Sequence, residues 1–260
     1  MVFLPAKIKV HSLTGRITLP LLMAAFQAVK RNRGAAGIDR VSIKMFEANL
    51  DENLRALLRD LKDGSFQPLA LRRKFIPKNE TEFRPLGIPA VRDRVAQEVV
   101  RRLLDPIFEP LFHDASFGFR QERNCHQAIA AALSLHDEGY RVILDADIKG
   151  FFDNLSHAVI MAAVAAQVAD GNILRLVEKF LRSGVMENGV FKPATVGTPQ
   201  GGVMTPRTQW ITFAFFGSRD SSYGNRMVNG DRFFAHGDLF DQDAEDLLPL
   251  NAAQFFYRLI

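Results

Sequence analysis

The chemistry in this sequence is concentrated in DADIKGFFDN, residues 145–154, where Asp145 and Asp147 close an apolar run and a Lys-Gly pair separates them from Phe151, Phe152 and Asp153. A carboxylate at the end of a strand suits a hard divalent cation, because Mg²⁺ keeps near-octahedral oxygen geometry and binds through one or two carboxylates plus substrate phosphates. Taken alone, an Asp-x-x-Gly is more often a turn cap. Gly150 allows a phosphate to approach the backbone closely.

A second group is basic. Arg72, Arg73, Lys74, Lys78 and Arg84 fall within thirteen residues broken by prolines. Arginine offers a planar fork to phosphate oxygens and lysine a point charge. Without other context such a cluster reads as a solvated face. A third group, TPQGG at 198–202, sets Gln200 beside Gly201 and Gly202, which permit close backbone approach.

These groups belong to a longer series: GAAGID at 34–39, KFIPK at 74–78, RPLGIP at 84–89, SFGFR at 116–120, DADIKGFFDN at 145–154 and TPQGG at 198–202. In that order they resemble the successive blocks of group II intron reverse transcriptases, over roughly residues 7 to 206. The resemblance implies an α+β right-hand polymerase fold and RNA-directed DNA synthesis with two Mg²⁺ ions. It matches Asp147 to the first metal-binding aspartate, with the Ile148 backbone beside it, and Phe152 to the aromatic that screens the sugar 2′-hydroxyl. Lys78 and Arg84 match the residues that clamp the triphosphate, and Gln200 and Gly201 those that meet the incoming nucleotide. Arg31, Arg33 and Arg40 lie in a segment similar to the family's extra N-terminal block, which implies contact with template and intron RNA; as a bare sequence it reads equally as a loop with scattered charges. Arg120 is either structural or template-facing. The partners implied are RNA template, intron RNA, DNA primer and dNTP.

The likeness stops after Pro206. No Tyr-x-Asp-Asp follows the PQG block, and Asp241, Asp243 and Asp246 are spaced for a helix face or loop instead. Eleven of the 26 aromatic residues fall in the last 54, which contain no lysine. The expectation is an N-terminal extension and fingers over 1–124, a partial palm over 125–206 and a divergent tail of unknown structure over 207–260, arising from a frameshift or fusion. Such a truncated chain is expected to lack polymerase activity; the alternatives are a non-catalytic RNA-binding remnant or an unstable pseudogene product.

The elements that must position these residues are legible from periodicity. Thr18 caps a helix that Gly34 ends; apolar residues from Met45 to Leu61 predict one helix over 43–63, stopped by Gly64. Prolines between 66 and 89 forbid a helix and point to a small basic antiparallel sheet. Helices follow from Val91 to Leu104, bent or ended by Pro106, and from Asn124 to Gly139. YRVILDADI reads as a buried strand of an antiparallel palm sheet carrying Asp147. Ser156 caps a helix to about Asp170, Asn172 starts another to Ser183, and Asn188-Gly189 turns a hairpin.

The net charge of +4 resides in residues 1–206, which carry +6 against −2 in the tail. A basic surface of this kind favours an anionic partner. The single cysteine, Cys125, forms no internal disulfide and fits a reducing, cytoplasmic setting. The apolar runs are too short to span a bilayer, so no membrane role is expected.

Overall fold

The computed structural model describes residues 9–77, 79–143, 151–198, 227–228 and 231–234, with backbone alone at 142–143, 151–152 and the last two short segments. The described residues divide between two compact units, one within 3–110 and 152–212, the other within 111–151 and 213–260.

In the first unit, α1 (Leu19–Arg31) begins where the Thr18 side chain accepts the Leu21 N–H, with Pro20 in the first turn, where its missing N–H costs nothing. It ends at Asn32, short of Gly34, and Arg33 rather than glycine takes the left-handed conformation at φ 49°. The helix expected over 43–63 is two helices, α2 (Ile43–Ala48) and α3 (Leu50–Asp63). The break falls at Asn49, and the Asn53 side-chain amide donates to the Phe46 carbonyl, satisfying a group that a continuous helix would have bonded internally. Met45, counted in the apolar stripe, is consequently exposed. Gly64 does close α3, at φ 79°.

The prolines shape β1 (Leu71–Pro77) and β2 (Phe83–Ile88) into an antiparallel pair, as expected. β1 also pairs in parallel with β4 (Val185–Glu187), and β4 turns through Asn188 and Gly189, both at positive φ, into β5 (Val190–Lys192). The sheet order is β2-β1-β4-β5. The Asn-Gly hairpin was legible; its docking on a strand more than a hundred residues earlier was not.

α4 (Val91–Phe108) is buried on nearly every side. It does not end at Pro106 but runs two residues beyond it; the proline removes one helix hydrogen bond, while the Glu109 N–H still reaches the Asp105 carbonyl. α1 packs on α4 and α3, and the fully buried Leu22, Phe26, Leu54, Val95 and Val99 form that core. After α6 (Phe151–Asn154), α7 (His157–Gln167) pairs with α8 (Gly171–Leu181), which also meets α4. Two cap assignments change. Ser156 holds the N-cap position of α7 without a side-chain bond. Asp170, not Asn172, caps α8, accepting the N–H groups of Asn172 and Ile173, while its carboxylate also ties down Thr14. α7 stops at Gln167 because Val168 bridges to Val10.

In the second unit, Asn124 and Gln127 form a reciprocal capping box at the start of α5 (Cys125–Asp137). The strand before Asp147 is described as β3 (Val142–Ile143), which pairs in parallel with β7 (Asp231–Phe234), itself antiparallel to β6 (Met227–Val228). This corrects the all-antiparallel expectation, and it assigns two strands to a tail in which no element was anticipated. A sequence signal was present: Asn-Gly, a dipeptide that favours hairpin turns, stands at 229–230 between the two segments.

Candidate nucleotide and nucleic-acid site

Strand alternation decides which basic residues act together. Lys74 pairs with Leu86 and Ile76 with Arg84, so Arg72, Lys74 and Arg84 share one face of the β1–β2 hairpin, and Arg84 is diagonal to Lys74. Diagonal neighbours lie about 7–8 Å apart, a spacing that fits neighbouring phosphates of one ligand. All three side chains are exposed, and none forms an ion pair or hydrogen bond among the described residues. Arg73 points the other way and pairs with Glu187 at 3.4 Å. The basic run therefore separates into a free cationic face and one residue engaged within the sheet. Period-two counting could have made this division. The opposite face carries Phe75 and Phe83, 48% and 63% exposed.

Arg31, Arg33 and Arg40 are exposed around the loop between α1 and α2, and none has a side-chain partner among the described residues. Arg120, in the second unit, is engaged with its own segment: it donates to the carbonyls of His113 and Ser116 at 2.7 and 2.9 Å, and lies over the Phe112 ring. The backbone of Phe152 belongs to α6. Lys78, Asp147, Ile148, Gln200 and Gly201 lie outside the described residues. Among the described residues no group of three or more His, Cys, Asp or Glu side chains could hold a metal ion.

The helix that follows the hairpin, α4, carries buried charged residues. Asp93 accepts the Leu69 N–H at 2.8 Å, fixing the segment that enters β1; burial pushes its carboxyl up to about 6. Burial also raises Glu98, but the hydrogen bonds and charges of Arg101 and Arg102 outweigh it and hold that carboxyl below its ordinary value. Arg101 reaches Asp105 as well. The pairing of Arg101 and Arg102 agrees with their spacing in sequence. Arg94, on the same helix, is instead buried without a carboxylate partner in hydrogen-bonding distance.

A family model for reverse transcriptase (RNA-dependent DNA polymerase) matches residues 76–216, more than half of the chain. The chain belongs to the reverse transcriptase family. Its relatives include protein YkfC of Escherichia coli K12, 37% identical over 76% of this chain and 54% of that protein. The group II intron-encoded protein LtrA of Lactococcus lactis is 37% identical over 70% of this chain and 30% of its own length. A chain of a partial Cas6-RT-Cas1–Cas2 complex superposes with a TM-score of 0.54 at 18% identity, covering 85% of this chain and 37% of that one, which shows the fold. This reverse transcriptase chain thus spans about half or less of the relatives it matches, and it is of the group II intron reverse transcriptase and maturase type, with the mixed helix-and-sheet fold of the fingers and palm. The family depends on divalent metal. No helix among the described residues is long and apolar enough to cross a membrane.

Proposed function

We propose that the chain supplies the nucleotide- and template-gripping part of an RNA-directed DNA polymerase of a group II intron. The observation that carries this reading is the face of Arg72, Lys74 and Arg84 on a proline-ruled hairpin, exposed and without a side-chain partner among the described residues. Guanidinium forks and an ammonium held on a sheet match the triphosphate of a dNTP, and Lys78 follows β1 in sequence to extend the same charge. Phe152 and Gln200 are assigned to the sugar and base side of that nucleotide, with Gly201 allowing close approach. The exposed Arg31, Arg33 and Arg40 contact template or intron RNA through phosphates. Asp147, with the Ile148 carbonyl, would hold Mg²⁺. When bound, that ion supplies charge neutralisation as a primer 3′-hydroxyl attacks the α-phosphate and diphosphate leaves. The chain's own side chains bind and orient the triphosphate and exclude a 2′-hydroxyl.

The decisive titration uses a fluorescent dNTP with the 260-residue protein and its Arg84→Ala variant. Losing one charge-assisted contact is expected to weaken binding about tenfold. Equal affinity in Arg84→Ala and Lys78→Ala, in protein that binds nucleotide, rejects the clamp. A second reading, a non-catalytic RNA-binding protein, is favoured by the absence of Tyr-x-Asp-Asp after the PQG block. It predicts salt-sensitive RNA binding with no nucleotide affinity.

A further inference from the structure

The loop that carries Arg33 and Arg40 has few internal hydrogen bonds, one of them from the Val41 N–H to the Asp39 carboxylate. Arg33 and Arg40 both adopt left-handed φ, 49° and 60°, a conformation disfavoured for side chains of this size. Each is supported by a single local backbone bond, Arg33 N–H to the Lys30 carbonyl at 3.1 Å and Arg40 N–H to the Gly37 carbonyl at 3.3 Å. Three guanidiniums on one short segment, with no ion-pair partner among the described residues, also repel each other. An external anchor is needed, and α4 with the residue that caps it provides two.

The first is steric. A Cβ on Gly37 would stand 2.5 Å from the Ala90 Cα and 2.6 Å from its nitrogen, so the loop backbone lies directly on the residue that joins β2 to α4. The second is Arg94. Its Nη2 donates to the Ala35 carbonyl at 2.7 Å, and a Cβ on Gly34 would stand 2.0 Å from its Nη1, so Gly34 leaves the space this guanidinium fills. Arg94 is 8% exposed, and its Nε has no partner. Burial lowers its pKa, opposed by the charge of Asp39. A buried guanidinium with so few partners costs the fold more than a methionine or leucine of similar volume would. Its presence is accounted for by what it holds.

We infer that Arg94 is a positioning residue: by gripping the Ala35 carbonyl from within the helix that follows the β1–β2 hairpin, it fixes the Arg31, Arg33 and Arg40 loop in one placement for an RNA backbone. The inference rests on the proposed role of that loop as an RNA contact. Arg94 itself touches no ligand. Its effect is to let three cations meet phosphates without first ordering the loop, so that the entropy of ordering is not subtracted from binding.

The test compares the 260-residue protein with Arg94→Met, Gly34→Ala and a triple Arg31→Ala/Arg33→Ala/Arg40→Ala variant. The probe is a fluorescein-labelled single-stranded RNA oligonucleotide titrated at several salt concentrations. Limited trypsin digestion, read by mass spectrometry at Arg31, Arg33 and Arg40, reports the loop independently of RNA. In Arg94→Met, thermal stability is expected to be retained, tryptic cleavage at Arg33 and Arg40 to rise about tenfold, and RNA affinity to fall about three- to tenfold. Its salt slope is expected to move toward that of the triple variant. Gly34→Ala displaces the guanidinium from the loop side and is expected to act in the same way, which keeps the test open should Arg94→Met not fold. Wild-type cleavage and affinity in Arg94→Met or Gly34→Ala, beside a weakened triple variant, overturn the role of Arg94. Unchanged affinity in the triple variant rejects the loop as an RNA contact, and the inference with it.

Discussion

Asp93 shows how a single residue ties the candidate site to solution conditions. Its carboxyl is buried, accepts the Leu69 N–H, and titrates at about 6 against an ordinary 3.8. A folded-state pKa above the unfolded one means that the folded chain holds the proton longer. The associated stability is complete below about pH 4 and is lost as pH rises through 6. Two pKa units correspond to roughly 3 kcal/mol. Asp93→Asn keeps the shape and the acceptor but cannot ionise. Denaturant unfolding at pH 4, 5, 6 and 7 is therefore expected to show wild-type stability falling relative to the variant across that interval. A difference that stays constant would mean that Asp93 is not desolvated. Of the residues singled out by type and spacing, Arg84 was legible with its neighbours. Placing Arg84 on the face of Arg72 and Lys74 required the register with β2, and the sequence did not show that Arg94 would be buried without a carboxylate partner, because burial of an arginine is decided by what packs around it.

At the scale of elements, the basic loop and the cationic hairpin are presented by different means. The hairpin is held by its own ladder and by β4; the loop depends on α4. Each exposed cation that neutralises a phosphate of single-stranded RNA contributes a log-log salt slope of about −0.7. Removing Arg31, Arg33 and Arg40 together is expected to flatten the slope by about 2, measured by fluorescence titration over a range of salt. An unaltered slope would place the RNA elsewhere. The helices themselves were largely legible because apolar period and caps are local: Thr18, Gly64 and Asn124 stand where they should. The break at Asn49 and the continuation through Pro106 were not, since Asn53 and the packing around α4 override local preference.

For the whole molecule, the prediction concerns chemistry that the sequence leaves incomplete. A two-metal transfer needs carboxylates holding both ions about 3.5–4 Å apart. Asp147 is one such carboxylate by resemblance, and no Tyr-x-Asp-Asp supplies the others. Purified 260-residue protein is expected to give no extension of a labelled primer on an RNA template with Mg²⁺ or Mn²⁺, with Asp147→Asn as the control for contaminating polymerase. Extension that this variant abolishes would show that another part of the chain completes the site. By itself the sequence determined the family, the α+β class and most helices, because ordered motifs, apolar period and end caps act over a few residues. Only the tertiary structure decided that β4 joins β1, that β3 lies parallel to β7, that Arg72, Lys74 and Arg84 form one face, and that Arg94 is buried beneath a glycine loop. Strand partners, and the burial of a charge, depend on residues far apart in the chain that meet only when it folds.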